Sequence, residues 1–323
     1  MKAAVISESG LEIRDAMIPR PKPTEVLVEV RAAGLNRADL LMASGRFHGA
    51  QGGAGVVAGL EWAGDVVEVG REVTTVKPGD RVMCAGAGGY AEFAVCDWGR
   101  AMVIPANNMT YEQAATLPVA LATMHDAVVT NGRLADGETV LIQGASSGVG
   151  LMGLQIAKHK GAKLVIGTST NPARREKLAE YGADLSLDSN DPDWPNQAMN
   201  ATGGNGVNLI VDQISGGVAN QNLAAAAILG RIVNVGRLGG FKGEFDFDMH
   251  ALKRIDYIGV TFRTRSVEEV REIGVRMQAD LWDAVESGAL KLPIDRTFSL
   301  DDAAAAQAHM AANEHFGKIV LTV

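Results

Sequence analysis

The sequence predicts an α/β protein in which a doubly wound parallel sheet is joined to a mainly β domain. Three observations carry this prediction. After Pro118 short β-branched runs alternate with helical spacing, at Thr139–Gln143, Lys163–Thr168, Asp184–Leu187, Val207–Asp212 and Gly230–Val235, the pattern of a parallel sheet covered on both faces. Before Pro118 the chain is strand-rich and punctuated by glycine, the pattern of an antiparallel, barrel-like domain. Between the first two strands of the alternating part lies the turn Gly144-Ala145-Ser146-Ser147-Gly148-Val149-Gly150.

The N-terminal part supports its strands one by one. Met1–Ser7 reads as a first strand and is too short in apolar residues for a signal peptide. Glu25–Ala33 alternates apolar and polar residues, Gly64–Val69 follows, Gly79-Asp80-Arg81-Val82 turns into another strand, and Tyr90–Val95 is the next. A loop at 105–110 precedes a helix that begins near Tyr111. The tail, Phe298–Val323, holds an Ala-rich helix and the strand Lys318–Val323, and is expected to return to the first domain.

The alternating part carries the chemistry. Thr139–Gln143 is a strand, Leu151, Leu154, Ile156 and Ala157 recur at helical spacing, and Gly161 stops that helix. A strand, a glycine turn and a helix N-terminus make an anion site, because backbone N–H groups and the helix dipole point at a pyrophosphate. The turn departs from the usual GxGxxG spacing, with Ala145 and Ser147 in place of the first two glycines. After the second strand the chain reads Thr168-Ser169-Thr170-Asn171-Pro172-Ala173-Arg174-Arg175, with no acid before Glu176. Hydroxyls, an amide and guanidinium groups suit a 2′-phosphate, so NADP(H) is expected over NAD(H). The alternative is that Arg174 and Arg175 solvate the next helix beside Glu176 and Glu180.

With 323 residues, 47% hydrophobic and 21% charged, the chain has material for about two domains with ordinary cores. A net charge of −8 argues against a general nucleic-acid or anionic-membrane surface. Two cysteines, Cys84 and Cys96, supply no disulfide framework, and no apolar run is long enough to span a membrane. A soluble, cytoplasmic protein is expected.

In Gly34-Leu35-Asn36-Arg37-Ala38-Asp39-Leu40, Gly59-Leu60-Glu61-Trp62-Ala63-Gly64, Val76-Lys77-Pro78-Gly79-Asp80-Arg81-Val82, Gly148-Val149-Gly150 and Gly317-Lys318-Ile319-Val320-Leu321, the whole chain resembles the zinc-independent quinone oxidoreductase branch of the medium-chain dehydrogenase/reductase superfamily, to which zeta-crystallin belongs. The resemblance implies a GroES-like catalytic domain from residues 1–118 and 262–323, with a Rossmann NADP(H)-binding domain of residues 119–261 inserted in it. Zinc-dependent relatives place Cys at Asn36 and His at Leu60, so no metal is expected, and Glu61 is expected to be structural. Without a Lewis acid, acceptors that are already electrophilic fit best: quinones and conjugated enones.

The resemblance assigns cofactor contacts to Thr123, Ser147, Gly148, Val149, Ser169, Asn171, Arg174, Gly236, Arg237, Leu238, Phe262, Arg263 and Lys318. Phe262-Arg263 is expected to lie on a second strand near the cofactor. Asp188 stands where the family often has a tyrosine, and its charge opposes a phosphate if it points inward. On the substrate side Asn36 is the candidate donor to a carbonyl oxygen, an oxyanion-type role, or else a loop-stabilising amide. Asp39 is expected to brace its loop, and Arg263 to act near substrate. Phe47 replaces a frequent tyrosine and cannot donate a proton. Phe47, Leu60, Leu238 and Phe262 are candidates for an apolar wall.

Two other readings remain open: an enoyl-thioester reductase, with Lys253, Arg263, Arg265 and Arg271 as a basic groove, and a non-catalytic NADPH-binding protein. A small electrophilic acceptor and a second copy of the chain are the expected partners, the latter through an apolar edge strand at Tyr257–Phe262.

Overall fold

A computed structural model describes residues 1–43, 53–106 and 108–323. Phe47 lies outside the described residues. The chain forms two compact units, 1–119 with 262–323, and 120–261. The first junction thus falls one residue later than expected, inside the helix Pro118–His125.

The first unit opens with a hairpin of β1 (Lys2–Ser7) and β2 (Gly10–Asp15). There follow β3 (Glu25–Gly34), β4 (Glu61–Val69), β5 (Arg81–Ala85), β6 (Phe93–Asp97) and β7 (Ala101–Val103). Two of these differ from expectation. β4 begins at Glu61, three residues early, because Glu61, Trp62 and Ala63 pair with Gly34, Ala33 and Ala32. β6 begins at Phe93, where pairing with β3 starts at Phe93↔Glu29; Tyr90 and Ala91 instead serve β1, Tyr90 by its carbonyl to the Ala4 N–H and Ala91 by a bridge to Ala3.

The second unit is a six-stranded parallel sheet: β8 (Thr139–Ile142), β9 (Leu164–Thr168), β10 (Leu185–Leu187), β11 (Val207–Asp212), β12 (Ala226–Asn234) and β13 (Asp256–Gly259), in the order β10-β9-β8-β11-β12-β13. Chain order reverses between β8 and β11, which makes a topological switch point at the C-terminal ends of the strands. Leu141, Ile166, Trp194, Ile210, Leu223 and Ile232 fill a core of this unit. Burial of such runs on both faces explains their near-continuous apolar character.

The expected strand through Phe262 is not formed. β13 stops at Gly259, and Phe262–Thr264 is a turn. The reason is local: Ser266 and Glu269 make a capping box that starts the helix Val267–Glu286, so the chain must leave the sheet before it. After that helix, β14 (Ile294–Ser299) and β15 (Lys318–Thr322) complete the sheet of the first unit, in the order β14-β15-β3-β4-β5-β7, with β6 also paired to β3. The tail therefore does return to the first unit. Val26, Val28, Trp62, Val82, Ile319 and Leu321 belong to its core. No helix among the described residues is long and apolar enough to cross a membrane.

Candidate functional site

In the second unit the turn after β8 is built as an anion site. Ser147 caps the twelve-residue helix Gly148–His159, its hydroxyl accepting from the Gly150 N–H at 3.0 Å. The N–H groups of Gly148 and Val149 lie in the first turn, which has no intrahelical acceptors. Gly150 must be glycine, because a Cβ there would stand 2.6 Å from the Gly144 carbonyl oxygen. This cradle fits a pyrophosphate.

The segment after β9 joins it. Ser169 hydroxyl and Ser146 hydroxyl are 3.0 Å apart, which ties the two loops. Asn171 caps the short helix Pro172–Glu176 through the Arg174 N–H at 3.1 Å, so its amide oxygen is structural. Arg175 donates to the Ser169 carbonyl at 2.9 Å and pairs with Asp188 at 3.0 Å. Asp188, the residue expected to oppose a phosphate, is therefore neutralised by Arg175. Arg174 is half-buried on the same loop. The donor set fits a 2′-phosphate.

Thr123 is half-buried in the helix Pro118–His125. Gly236, Arg237 and Leu238 form the loop after β12; Arg237 donates to the Val235 carbonyl at 3.1 Å, and Leu238 is 53% exposed. Behind these loops lies a buried polar chain that the sequence did not announce: Gln143, Thr168, Asp212, Gln213 and Asn222. Thr168 hydroxyl donates to the Gln143 side chain at 2.6 Å and accepts from the Gly144 N–H at 3.1 Å. Gln143 donates to Asn222 at 2.8 Å, and Asn222 to Asp212 at 3.0 Å. Burial pushes the Asp212 carboxyl up, against the N–H groups of Ser215 and Ile214. Strand-end polar residues at the switch point were the available signal.

In the first unit five polar side chains from distant elements meet in the interior. Asn36 precedes the helix Arg37–Ala43, and Asp39 in its first turn accepts from the Asn36 N–H at 2.7 Å. The same Asp39 oxygen accepts from the Tyr90 hydroxyl at 2.7 Å. Asp39 does brace this loop. The Asn36 amide donates to Glu61 at 2.9 Å, and Glu61, fully buried at the start of β4, also accepts from the Val119 N–H at 2.9 Å. Lys318, 4% exposed at the start of β15, donates to Asn36 Oδ1 at 3.1 Å and forms an ion pair with Glu61.

The geometry engages two expected site residues with each other. Lys318 is held by Glu61 and Asn36, since a buried ammonium demands a carboxylate. Asn36 commits one amide hydrogen to Glu61, so only its other hydrogen is available to an acceptor. Leu60 is buried in the core and Phe262 lies in a turn, its ring 5.9 Å from the Arg265 guanidinium. Arg263 is exposed on that turn. Two members of the expected basic groove are engaged elsewhere: Arg271 pairs with Asp97 at 2.7 Å, and Lys253 donates to the carbonyls of Leu223, Ala224 and Ala226 at 2.6–2.8 Å.

Residues 148–277 match the zinc-binding dehydrogenase family and residues 22–106 the alcohol dehydrogenase GroES-like domain. The mycocerosic acid synthase-like polyketide synthase of Mycobacterium tuberculosis is 30% identical over 307 residues, 94% of this chain and 14% of the synthase. The chain spans only 5–14% of the length of such polyketide synthases. The quinone oxidoreductase of Rattus norvegicus is 29% identical over 312 residues, 95% of this chain and 92% of that one. Among solved structures, an alcohol dehydrogenase superfamily protein from Novosphingobium aromaticivorans aligns with TM-score 0.89 at 30% identity, over 100% of this chain and 99% of its own. A mycobacterial protein complexed with NADPH aligns with TM-score 0.88 at 27% identity, over 100% of both chains.

Zinc, which the first family's description implies, does not fit the residues present. Among the described residues no three His, Cys, Asp or Glu are grouped to hold a metal ion. Asn36 and Leu60 stand where zinc-dependent relatives carry Cys and His, and the Lys318 ammonium is bound to Asn36 Oδ1 and Glu61. A dication cannot share those oxygens with an ammonium, and neither an amide nor a leucine replaces a thiolate or imidazole. With its GroES-like domain, its parallel Rossmann sheet and its 30% identity over nearly the whole of an alcohol dehydrogenase superfamily protein, the chain belongs to the medium-chain dehydrogenase/reductase superfamily.

Proposed function

We propose that the chain is an NADPH-dependent, metal-independent reductase of quinones or other electrophilic α,β-unsaturated carbonyls. The observation that carries this reading is the buried Lys318–Glu61–Asn36 cluster, in which an ammonium occupies the oxygens a metal would need. When bound, reduced nicotinamide supplies the hydride. Quinones and enones accept it without a Lewis acid because conjugation spreads the developing charge.

The roles of the chain's own residues follow. Ser147, Gly148, Val149 and Gly150 bind the pyrophosphate with backbone N–H groups. Ser169 and Arg174 bind the 2′-phosphate, while Arg175 holds Asp188 away from it. Gly236, Arg237 and Leu238 line the cofactor's other half, across the switch point. Asn36 donates its remaining amide hydrogen to the acceptor's oxygen, held in place by Glu61 and Lys318. Such a donor contributes about 2–4 kcal/mol where water is excluded.

The test is oxidation of NADPH and of NADH against benzoquinone, an alkyl vinyl ketone, crotonyl-CoA and a simple aldehyde. Turnover with NADPH on the quinone or the ketone supports the reading; turnover confined to the aldehyde sinks it. An enoyl thioester is the second reading, favoured by the match to segments of polyketide synthases, and crotonyl-CoA as the preferred acceptor would select it. We further propose a homodimer formed through β13, an edge strand next to a helix that exposes Phe247 at 76% and Leu252 at 75%.

A further inference from the structure

The turn that follows β11 grips two other loops at once. Asp212 fixes it, with Oδ1 accepting from the N–H groups of Ile214 at 2.8 Å and Ser215 at 2.9 Å. Gln213, 5% exposed, reaches toward the turn after β8. Its amide donates to the carbonyls of Gln143 at 3.0 Å and Gly144 at 3.4 Å, and its oxygen accepts from the Ser147 hydroxyl at 3.2 Å.

Ser215 reaches the opposite way. Its hydroxyl donates to the Gly236 carbonyl at 2.5 Å and accepts from the Asn234 amide. Ser215 stands at φ +68°, a conformation that costs a non-glycine residue free energy and persists only where surrounding contacts enforce it. Gly236 packs so closely on this turn that a Cβ would lie 2.6 Å from the Gln213 carbonyl oxygen. The Leu238 and Gly239 N–H groups donate to the carbonyls of Gln213 at 3.0 Å and Ile214 at 2.8 Å.

A dinucleotide lying across the switch point has its pyrophosphate at the loop after β8 and its far end over the loops after β11 and β12. We propose that Gln213 and Ser215 are positioning residues that couple the Gly144–Gly150 turn to the 236–238 loop, so that the two ends of the cofactor are recognised by one rigid body. The proposal rests on the reading of this unit as a nicotinamide dinucleotide site.

The experiment is calorimetric titration of Ser215→Gly and Gln213→Met with NADPH and with 2′-phospho-ADP-ribose, which lacks the nicotinamide end. Glycine adopts φ +68° without strain, so Ser215→Gly removes the hydroxymethyl group and its two hydrogen bonds while the turn's conformation stays accessible. The hydrogen bonds of that hydroxyl run to the β12 side, yet coupling predicts that 2′-phospho-ADP-ribose binds Ser215→Gly about fivefold or more weakly than the parent. Gln213→Met is expected to weaken both ligands to a similar extent. Fragment affinity within about twofold of the parent in Ser215→Gly overturns the coupling, whatever happens to NADPH. If Gln213→Met does not fold, Ser215→Gly decides alone. Failure of the parent chain to bind either NADPH or NADH overturns the underlying reading instead.

Discussion

Lys318 and Glu61 form a buried ion pair across 257 positions of sequence, joining the start of β15 to the start of β4, with Asn36 bonded to both. Charges removed from water are stable only when each is matched. Loss of one partner is therefore worse than loss of both. Lys318→Met is expected to cost about 3–5 kcal/mol by leaving Glu61 uncompensated, and Lys318→Met with Glu61→Gln to cost less. Denaturant unfolding of the two variants checks this; equal or additive costs contradict it.

Asp39 gives a pH dependence of stability. Burial pushes its carboxyl up to about 7, and Glu61 acts in the same direction, while the Tyr90 hydroxyl, the Asn36 N–H and Lys318 pull it down. The folded value lies above the ordinary 3.8, so the folded chain binds the extra proton. The resulting stabilisation is complete below the ordinary value and is lost as pH rises through about 7, a change of up to about 4 kcal/mol. Asp39→Asn keeps an acceptor for both donors and does not titrate. Its stability relative to the parent should rise as pH is taken from about 4 to about 8. A parallel pair of stability–pH curves would refute the assignment.

The proposed preference for NADPH rests on the loop after β9. Arg174→Ala should raise the KM for NADPH by about tenfold to a hundredfold, the loss of one charge-assisted phosphate contact, and leave that for NADH nearly unchanged. Steady-state kinetics with both cofactors decide it. An equal effect on both assigns Arg174 to solvation of its helix.

Lys253 replaces a helix cap. Its ammonium meets three carbonyls at the end of the helix Ala219–Ala225, where the macrodipole favours a cation. Lys253→Met is expected to destabilise the chain by about 1–3 kcal/mol without altering the KM for any thioester acceptor. A selective rise in the KM for crotonyl-CoA would restore this lysine to a phosphate-binding groove.

The edge strand β13 predicts twice the chain mass in light scattering. A monomer at assay concentration would remove the dimer.

What could be read from sequence was local. Ser147 and Gly150 announce the cradle because capping and close backbone approach act within a few residues, and the parallel sheet shows itself in uninterrupted apolar runs such as Leu209–Val211. The capping box at Ser266 and Glu269, which ends the strand before Phe262, is equally local, yet the expectation of a strand through Phe262 overlooked it. The Lys318–Glu61–Asn36 cluster was not, since nothing near Lys318 in the chain signals that its partner is a buried glutamate in another strand. Gln213 and Ser215 escaped for a related reason: a glutamine and a serine after a strand look like any polar loop until the fold brings β8 and β12 to either side of β11.

The measurement that bears most directly on the central claim is NADPH-driven reduction of benzoquinone by protein treated with a strong chelator, compared with the same protein given excess zinc. Turnover unchanged by chelation and not raised by zinc is the predicted result. Activity lost on chelation and restored by zinc would contradict the account, in which the Lys318 ammonium holds the oxygens a metal would need.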